Sequence, residues 1–321
     1  MKNKPIILVA GEPKSIFFEI FFKAIKQKKY KSPLILICCK KLLINQMKFF
    51  NFNKKIKIYE IDELKKKKIN NKSLNLIDVE LKISKNKKNQ TKLNNTYIHQ
   101  SFNTAFQLIR NKFTKKFING PINKKTFLNK KFLGVTEFIS ENFKIKKTSM
   151  LIHNKKLSVC PATTHLPIKL VAKKITKQLI KEKIETLDIF FKRTFKIKPK
   201  IAVTGLNPHC ESILKFNEDE KIVSSAILVM KRKGINVKGP YPADTIFLQG
   251  NRCKYDVILG MYHDQVLTPV KTLFEYEAIN ITMGLPFLRV TPDHGPNQNM
   301  IGRNKSNPQS IIKALEFLDN K

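Results

Sequence analysis

The chain has 321 residues, 42% of them hydrophobic, which is enough to bury a substantial core and to divide into two domains. Lys and Arg number 62 against 24 Asp and Glu, a formal charge of +38. The lysines are spread along the whole chain among abundant Asn and Ile, with no RRM, zinc-finger or helix-turn-helix signature. We therefore read the charge as a drift of solvent-facing positions, with nucleic-acid binding only non-specific if any. Five cysteines without C-x-x-C spacing, one of them necessarily unpaired, fit a reducing cytosol better than a disulfide framework.

"PIILVA" (5–10) reads as a strand and is too short for a signal h-region or a membrane span. No later segment reaches membrane length, and the expectation is a soluble cytoplasmic protein. Ser15 is placed to cap the helix that follows, "IFFEIFFKAIKQ". "PLILICC" (33–39) is a second strand, followed by a helix near 41–50 and "IKIYEI" as a third strand. Strands alternating with helices argue for a parallel sheet covered on both faces. Residues 62–95 are Lys/Asn-rich and read as an exposed loop. A helix over 97–113 leads to the strand-turn "FINGPINKK", and "SMLIHN" and "LSVCPA" read as paired strands. A long helical stretch (169–195), the strand "KIAVTG", a helix near 218–233 and the strands "YDVILGMY" and "AINITMG" follow. "PQSIIKALEFLDN" closes the chain as a helix, and the class is α/β.

Three of the six histidines share one context. His165 ends "LSVCPATTH", His209 ends "IAVTGLNPH" and His263 ends "VILGMYH", each just beyond a buried-looking strand. In open parallel sheets ligands gather outside the carboxyl ends of the strands, so residues distant in sequence can converge there. Three neutral imidazoles suit zinc, cobalt, nickel or iron and leave a coordination position open. One histidine at a strand tip is ordinarily a hydrogen-bonded polar residue; three in matching settings carry the metal reading, while the spacing matches no local metal motif. His99 and His153 lack this context, and His294 lies in the turn "TPDHGPN".

Other polar residues fall nearby. Asp244 follows two prolines in "GPYPADTIF", a rigid setting for a functional acid, and Asp264 beside His263 either orients a ring or is solvated. Lys271, Asn280 and Arg289 follow in quick succession and together suit a phosphate or carboxylate. A lone lysine in so basic a chain is ordinarily solvated surface, whereas Arg289 follows the apolar "GLPFL".

"GEP", "NGPINK", "ATTHLP", "GLNPH", "PADT", "MYHDQ", "LTPVK", "NITMGLPFLR" and "DHG" occur in this order over nearly the whole chain. In this set the sequence resembles the 4-hydroxythreonine-4-phosphate dehydrogenase family of pyridoxal phosphate biosynthesis. The resemblance implies a two-domain α/β fold like that of the isocitrate and isopropylmalate dehydrogenases, with the active site in the cleft between domains. One domain would comprise 1–121 and 287–321, on the dinucleotide side; the other, 122–286, would carry the metal ligands and dimer contacts. It further implies a homodimer with a shared active site, NAD or NADP, and one divalent metal (Zn, Co or Mg) per site. By position the metal ligands would be His165, His209 and His263, and the substrate contacts Thr136, Lys271, Asn280 and Arg289. Asp244 and Lys271 would be catalytic, and His294, Gly295 and Asn307 would belong to the dinucleotide loop. The implied reaction oxidises 4-phosphohydroxy-L-threonine to 2-amino-3-oxo-4-(phosphooxy)butanoate, which decarboxylates to 3-amino-2-oxopropyl phosphate.

Some positions depart from the family pattern. Its "GHTEF" is "GVTEF" here, so Val135 stands where a substrate-contacting histidine is expected. The glycine-rich turn after "GEP" is "KSIFF", and Pro296 and Asn297 replace a small hydroxyl residue and an alanine. Two alternatives follow: a dehydrogenase for a related four-carbon acid (erythronate or threonate 4-phosphate), or a non-catalytic polyanion-binding homologue. The second has no physical need to keep three metal ligands together.

Overall fold

The computed structural model describes residues 3–128, 132, 134–211, 216–292 and 297–321. Two compact units emerge: Met1–Lys144 with Leu285–Lys321, the terminal unit, and Ile145–Gly284, the central unit. In chain order the strands are β1 (Ile6–Val9), β2 (Leu34–Cys38), β3 (Ile56–Ile58), β4 (Leu74–Asp78), β5 (Lys116–Asn119), β6 (Ser149–Asn154) and β7 (Leu157–Thr163). β8 (Ile201–Thr204), β9 (Val237–Tyr241), β10 (Val257–Tyr262), β11 (Ile279–Met283) and β12 (Leu288–Pro292) follow.

In the terminal unit the order is β3-β4-β2-β1-β5-β12, every pairing parallel. The apolar runs of β1 and β2 are buried along their length, as strands covered on both faces must be. Helix Phe17–Gln27 buries Phe17, Phe18, Phe21 and Phe22, the i, i+3/i+4 stripe of an amphipathic helix, and packs on the closing helix Gln309–Asp319. Its N-cap is Ile16, without a side-chain cap. Ser15 lies one residue earlier, donating to the Glu12 carbonyl at 2.8 Å and accepting from the Phe17 N–H at 3.4 Å.

The Lys/Asn-rich stretch 62–95 is not a simple exposed loop. β4 runs through it, with Leu74, Leu76 and Ile77 buried between β2 and β3. Buried Asn75 donates to the carbonyls of Leu34 and Asn70, so its amide is satisfied rather than stranded. The next helix starts at Lys87, ten residues before the predicted start at 97, because Asn86 caps it through Oδ1 to the N–H groups of Lys88 and Asn89. The solvent-facing polar residues of that first stretch carry no apolar periodicity, so only the cap marks its beginning.

In the central unit the order is β11-β6-β7-β10-β8-β9. β7, β10, β8 and β9 are parallel, while β6 is antiparallel to β7 and to β11, so the sheet is mixed rather than wholly parallel. β9 and β12, both without an expected counterpart, are short strands whose sequences "VKGPY" and "LRVTP" contain proline. The 169–195 stretch divides into helices Ile168–Lys174 and Lys177–Thr194. After β10 the chain turns directly into helix His263–Phe274, which folds back on β10 and β7 and buries Val266, Leu267 and Val270.

That tight reversal makes Gly260 a steric requirement. A Cβ there would lie 2.3 Å from Val266 Cγ1 and 3.1 Å from Gln265 Oε1. Gly260→Ala is expected to cost about 1–3 kcal/mol through overpacking, read as a lowered thermal midpoint. An unchanged midpoint would show that Val266 yields freely.

All five cysteines are free, and among the described residues no helix is long and apolar enough to cross a membrane.

Candidate active site

β7, β10 and β8 are adjacent and parallel, so their carboxyl ends share one edge of the central sheet. Each is followed closely by one of the three singled-out histidines. His165 lies two residues beyond β7, His263 is the first residue of the helix after β10, and His209 sits in the turn Pro208–Cys210 after β8. The rings of His165 and His263 are 6.2 Å apart between centroids. Among the described residues no three His, Cys, Asp or Glu side chains are close enough to hold a metal ion as placed. His209 is therefore brought to the same edge without closing a three-ligand set.

Two of these positions are held in unusual backbone. His165 has φ 55°, His209 has φ 57° and its neighbour Cys210 has φ 62°, all in the left-handed region that residues with a Cβ rarely occupy. Such positions cost of order 1–3 kcal/mol each and cluster at functional sites. His263 Nδ1 donates to Asp264 Oδ1 at 2.6 Å, which orients the ring and engages Nδ1 rather than Nε2. Asp264 therefore orients the ring, one of its two sequence readings. The donor set, exposed or half-buried imidazoles of which one is carboxylate-backed, fits a divalent first-row metal.

Asp244 lies exposed in helix Ala243–Ile246, near enough to the Cys210 thiol that, with burial and Asp219, it raises that thiol's pKa. Lys271 is half-buried in the last turn of helix His263–Phe274, so "LTPVK" is helical, with Pro269 inside. Asn280, on β11, donates to Met150 Sδ at 3.4 Å.

The terminal unit holds a buried, hydrogen-bonded guanidinium. Arg289, on β12, is 5% exposed; its Nε donates to Asn119 Oδ1 on neighbouring β5 and its Nη1 to Thr136 Oγ1, both at 2.9 Å. Burial lowers the guanidinium to about 10, opposed by the nearby Glu137 carboxylate, so it stays a cation at neutral pH. Thr136 is the second residue of helix Val135–Asn142, which starts after the N-cap Gly134. A fixed guanidinium, a hydroxyl and helix N-terminal N–H groups form a natural phosphate site. Val135, the first helical residue, is half-buried.

Asn307 Oδ1 accepts from the Gln309 N–H at 2.9 Å, just before the closing helix; His294 and Gly295 lie outside the described residues. His99 packs on Phe127 and Phe138 in the terminal unit, and His153 bonds Ser158 at 2.8 Å in the central one. Asn119, Asp219 and Gln265 had no sequence reading. Asn119 stands in the quoted "NGPINK" and Gln265 in "MYHDQ", but their partners are distant in sequence, and nothing local marks Asp219.

A family model described as pyridoxal phosphate biosynthetic protein PdxA matches residues 29–318. The 4-hydroxythreonine-4-phosphate dehydrogenase of Sulfurihydrogenibium sp. (strain YO3AOP1) is 34% identical over 319 residues, 97% of this chain and 96% of that protein. The D-threonate 4-phosphate dehydrogenase of Pectobacterium atrosepticum is 36% identical over 200 residues, 61% of each. The crystal structure of 4-hydroxythreonine-4-phosphate dehydrogenase from Klebsiella pneumoniae matches with a TM-score of 0.84 at 27% identity, covering 98% of both chains. The fold is the two-domain α/β fold of the isocitrate/isopropylmalate dehydrogenase type, and the protein is an oxidoreductase acting on a CH–OH group. The chain belongs to the PdxA family of pyridoxal phosphate biosynthetic proteins.

Proposed function

We propose that the chain is an NAD- and divalent-metal-dependent dehydrogenase of pyridoxal 5'-phosphate biosynthesis. It oxidises 4-phosphohydroxy-L-threonine to 2-amino-3-oxo-4-(phosphooxy)butanoate, which loses carbon dioxide to give 3-amino-2-oxopropyl phosphate. The observation that carries this reading is the placement of His165, His209 and His263 past the carboxyl ends of three adjacent parallel strands.

In this reading those imidazoles hold one divalent ion, and nitrogen donors favour zinc or cobalt over magnesium. When bound, the ion supplies Lewis acidity, favouring loss of the hydroxyl proton and steadying negative charge on oxygen during decarboxylation. Asp264 keeps the His263 ring oriented with Nε2 available. Arg289 and Thr136 take the phosphate, Arg289 pre-oriented by Asn119 so that little side-chain entropy is lost on binding. Lys271 adds a second cationic contact and Asn280 a hydrogen bond, while Asp244 is the acid available for proton transfer. NAD or NADP falls to the His294, Gly295 and Asn307 side, and the working unit is a homodimer with a shared active site.

A second reading has its own support. Val135 can neither donate nor accept a hydrogen bond where the family pattern has histidine, and one relative is named D-threonate 4-phosphate dehydrogenase. An amine-free four-carbon phosphorylated hydroxy acid is then the substrate. The two are separated by kcat/KM for 4-phosphohydroxy-L-threonine, D-threonate 4-phosphate and D-erythronate 4-phosphate, measured with NAD and zinc or cobalt. We expect at least about 10-fold preference for the amine-bearing substrate, equivalent to one hydrogen bond to a charged group. The reverse preference selects the second reading, and turnover of none sinks both.

A further inference from the structure

The loop that presents His209 is gripped from two sides by side chains with no role in the reaction above. Gln265, in the first turn of helix His263–Phe274, folds back toward the strand ends. Its Oε1 accepts the Met261 N–H and the Thr204 hydroxyl, and its Nε2 donates to the Gly205 carbonyl, all at 2.7 Å. One amide thus ties the end of β10 to the end of β8. Asp219 is fully buried, with 0% exposure. Its Oδ1 accepts the Leu206 N–H at 2.5 Å, and its Oδ2 accepts the Asn207 N–H at 2.9 Å and Asn207 Nδ2 at 3.1 Å.

Four backbone polar groups of 205–207 are held by named partners. The Gly205 N–H donates to the Tyr241 carbonyl at 2.9 Å, its carbonyl is held by Gln265, and the next two N–H groups are held by Asp219. Gly205 is itself required, since a Cβ there would lie 2.6 Å from Cys210 Sγ and 3.1 Å from Asp219 Oδ1. Immediately beyond the gripped segment come Pro208 and the two left-handed residues His209 and Cys210. Strained backbone of this kind persists only where its surroundings over-determine it. A buried carboxylate accepting three N–H groups, two of them from the backbone, is a strong anchor for that purpose.

We infer that Asp219 and Gln265 are positioning residues: together they clamp residues 205–207 so that His209 is held at the sheet edge, in its left-handed conformation, before any ligand arrives. The inference rests on the reading of His209 as a metal ligand. It differs from a general stabilising role in where its effect falls. Loosening the clamp weakens metal capture through His209, while the sheet, held by its own ladders, stays folded.

The test uses the full-length chain stripped of metal, with Zn²⁺ as probe. Zinc affinity is measured by competition with a chromophoric chelator, and amide hydrogen exchange over 205–210 is followed in the metal-free protein. Asp219→Asn turns one acceptor into a donor facing a backbone N–H; Gln265→Met removes all three amide bonds at similar volume; Gln265→Glu keeps the acceptor for Met261 and Thr204 but sets a carboxylate oxygen against the Gly205 carbonyl in place of the donor. Zinc affinity is expected to fall about 10–100-fold in Gln265→Met and Asp219→Asn, and less in Gln265→Glu. Leu206 and Asn207 amides are expected to exchange at least about 10-fold faster in the first two, with exchange in β1 and β2 unchanged. If Asp219→Asn fails to fold, the Gln265 pair decides. A folded variant with faster loop exchange but zinc affinity within two-fold of the parent would overturn the inference, as would unchanged loop exchange. A parent chain that binds no zinc refutes instead the ligand role of His209; the exchange rates then report separately whether the clamp exists.

Discussion

Arg289→Lys is expected to lower kcat/KM for the phosphorylated substrate by about 10²–10³-fold, mainly through a higher KM. The charge survives this change, but the geometry does not. Arg289 is buried, and its Nε and Nη1 donate to Asn119 and Thr136, which fixes the plane of the guanidinium. A lysine ammonium is a compact, strongly hydrated point charge that cannot satisfy Asn119 and Thr136 and present parallel donors to phosphate as well. Disrupting one partner of a buried, hydrogen-bonded charge pair typically costs about 2–5 kcal/mol, and each 1.36 kcal/mol is tenfold in rate. Thr136→Val, which removes one neutral hydroxyl, is expected to cost only about 10-fold. Steady-state kinetics on the two variants check the order. Equal, small effects would remove Arg289 from the phosphate site.

His209→Gly carries the second large effect, and it separates function from stability by sign. The variant is expected to lose bound metal, from about one ion per subunit to a small residue, and to lose turnover by 10³-fold or more. Yet, once both proteins are stripped of metal, which itself stabilises the folded parent, the variant's thermal midpoint is expected to lie above the parent's. At φ 57° a residue with a Cβ pays about 1–2 kcal/mol that glycine does not, against about 0.5–1 kcal/mol of extra unfolded-state entropy for glycine. The balance, about 0.5–1 kcal/mol in favour of glycine, corresponds to a rise of about 1–2 °C for a chain of this length. The side chain of His209 is exposed, so little packing is lost to offset it. Metal content by elemental analysis of the purified proteins, and melting curves of both after metal removal, decide the matter. A lower midpoint with metal retained would make His209 a structural residue.

Much of the fold could be read from the sequence because its signals are local. β1, β2, β7, β8 and β10 are apolar runs bounded by polar residues, and the closing helix has a clear amphipathic stripe. β4 was hidden by its lysine- and asparagine-rich surroundings, although its own apolar residues are buried like those of any central strand. The antiparallel turn of β6 against β7 and β11 was not legible either, since strand direction is set by partners rather than by composition.

The strand-end histidines share a local signature, a buried strand running into a polar tip, and could be found in that way. Their surroundings could not. Thr136 lies 153 residues from Arg289, and Gln265 lies 60 residues from Gly205. No periodicity connects such pairs, and only the folded register brings them together. Asp219 is the clearest instance: an acid beside two other acidic residues in "NEDEK" reads as solvated charge, yet it is completely buried because the loop amides of Leu206 and Asn207 need an acceptor.

The proposed reaction is a metal-dependent oxidation of a phosphorylated hydroxy acid. Its most direct test is NADH formation from 4-phosphohydroxy-L-threonine by purified protein, before metal removal, after it, and after zinc is restored. NADH and carbon dioxide are expected in equal amounts, with activity lost on metal removal and recovered with about one zinc per subunit. Full activity in the metal-free protein would contradict it.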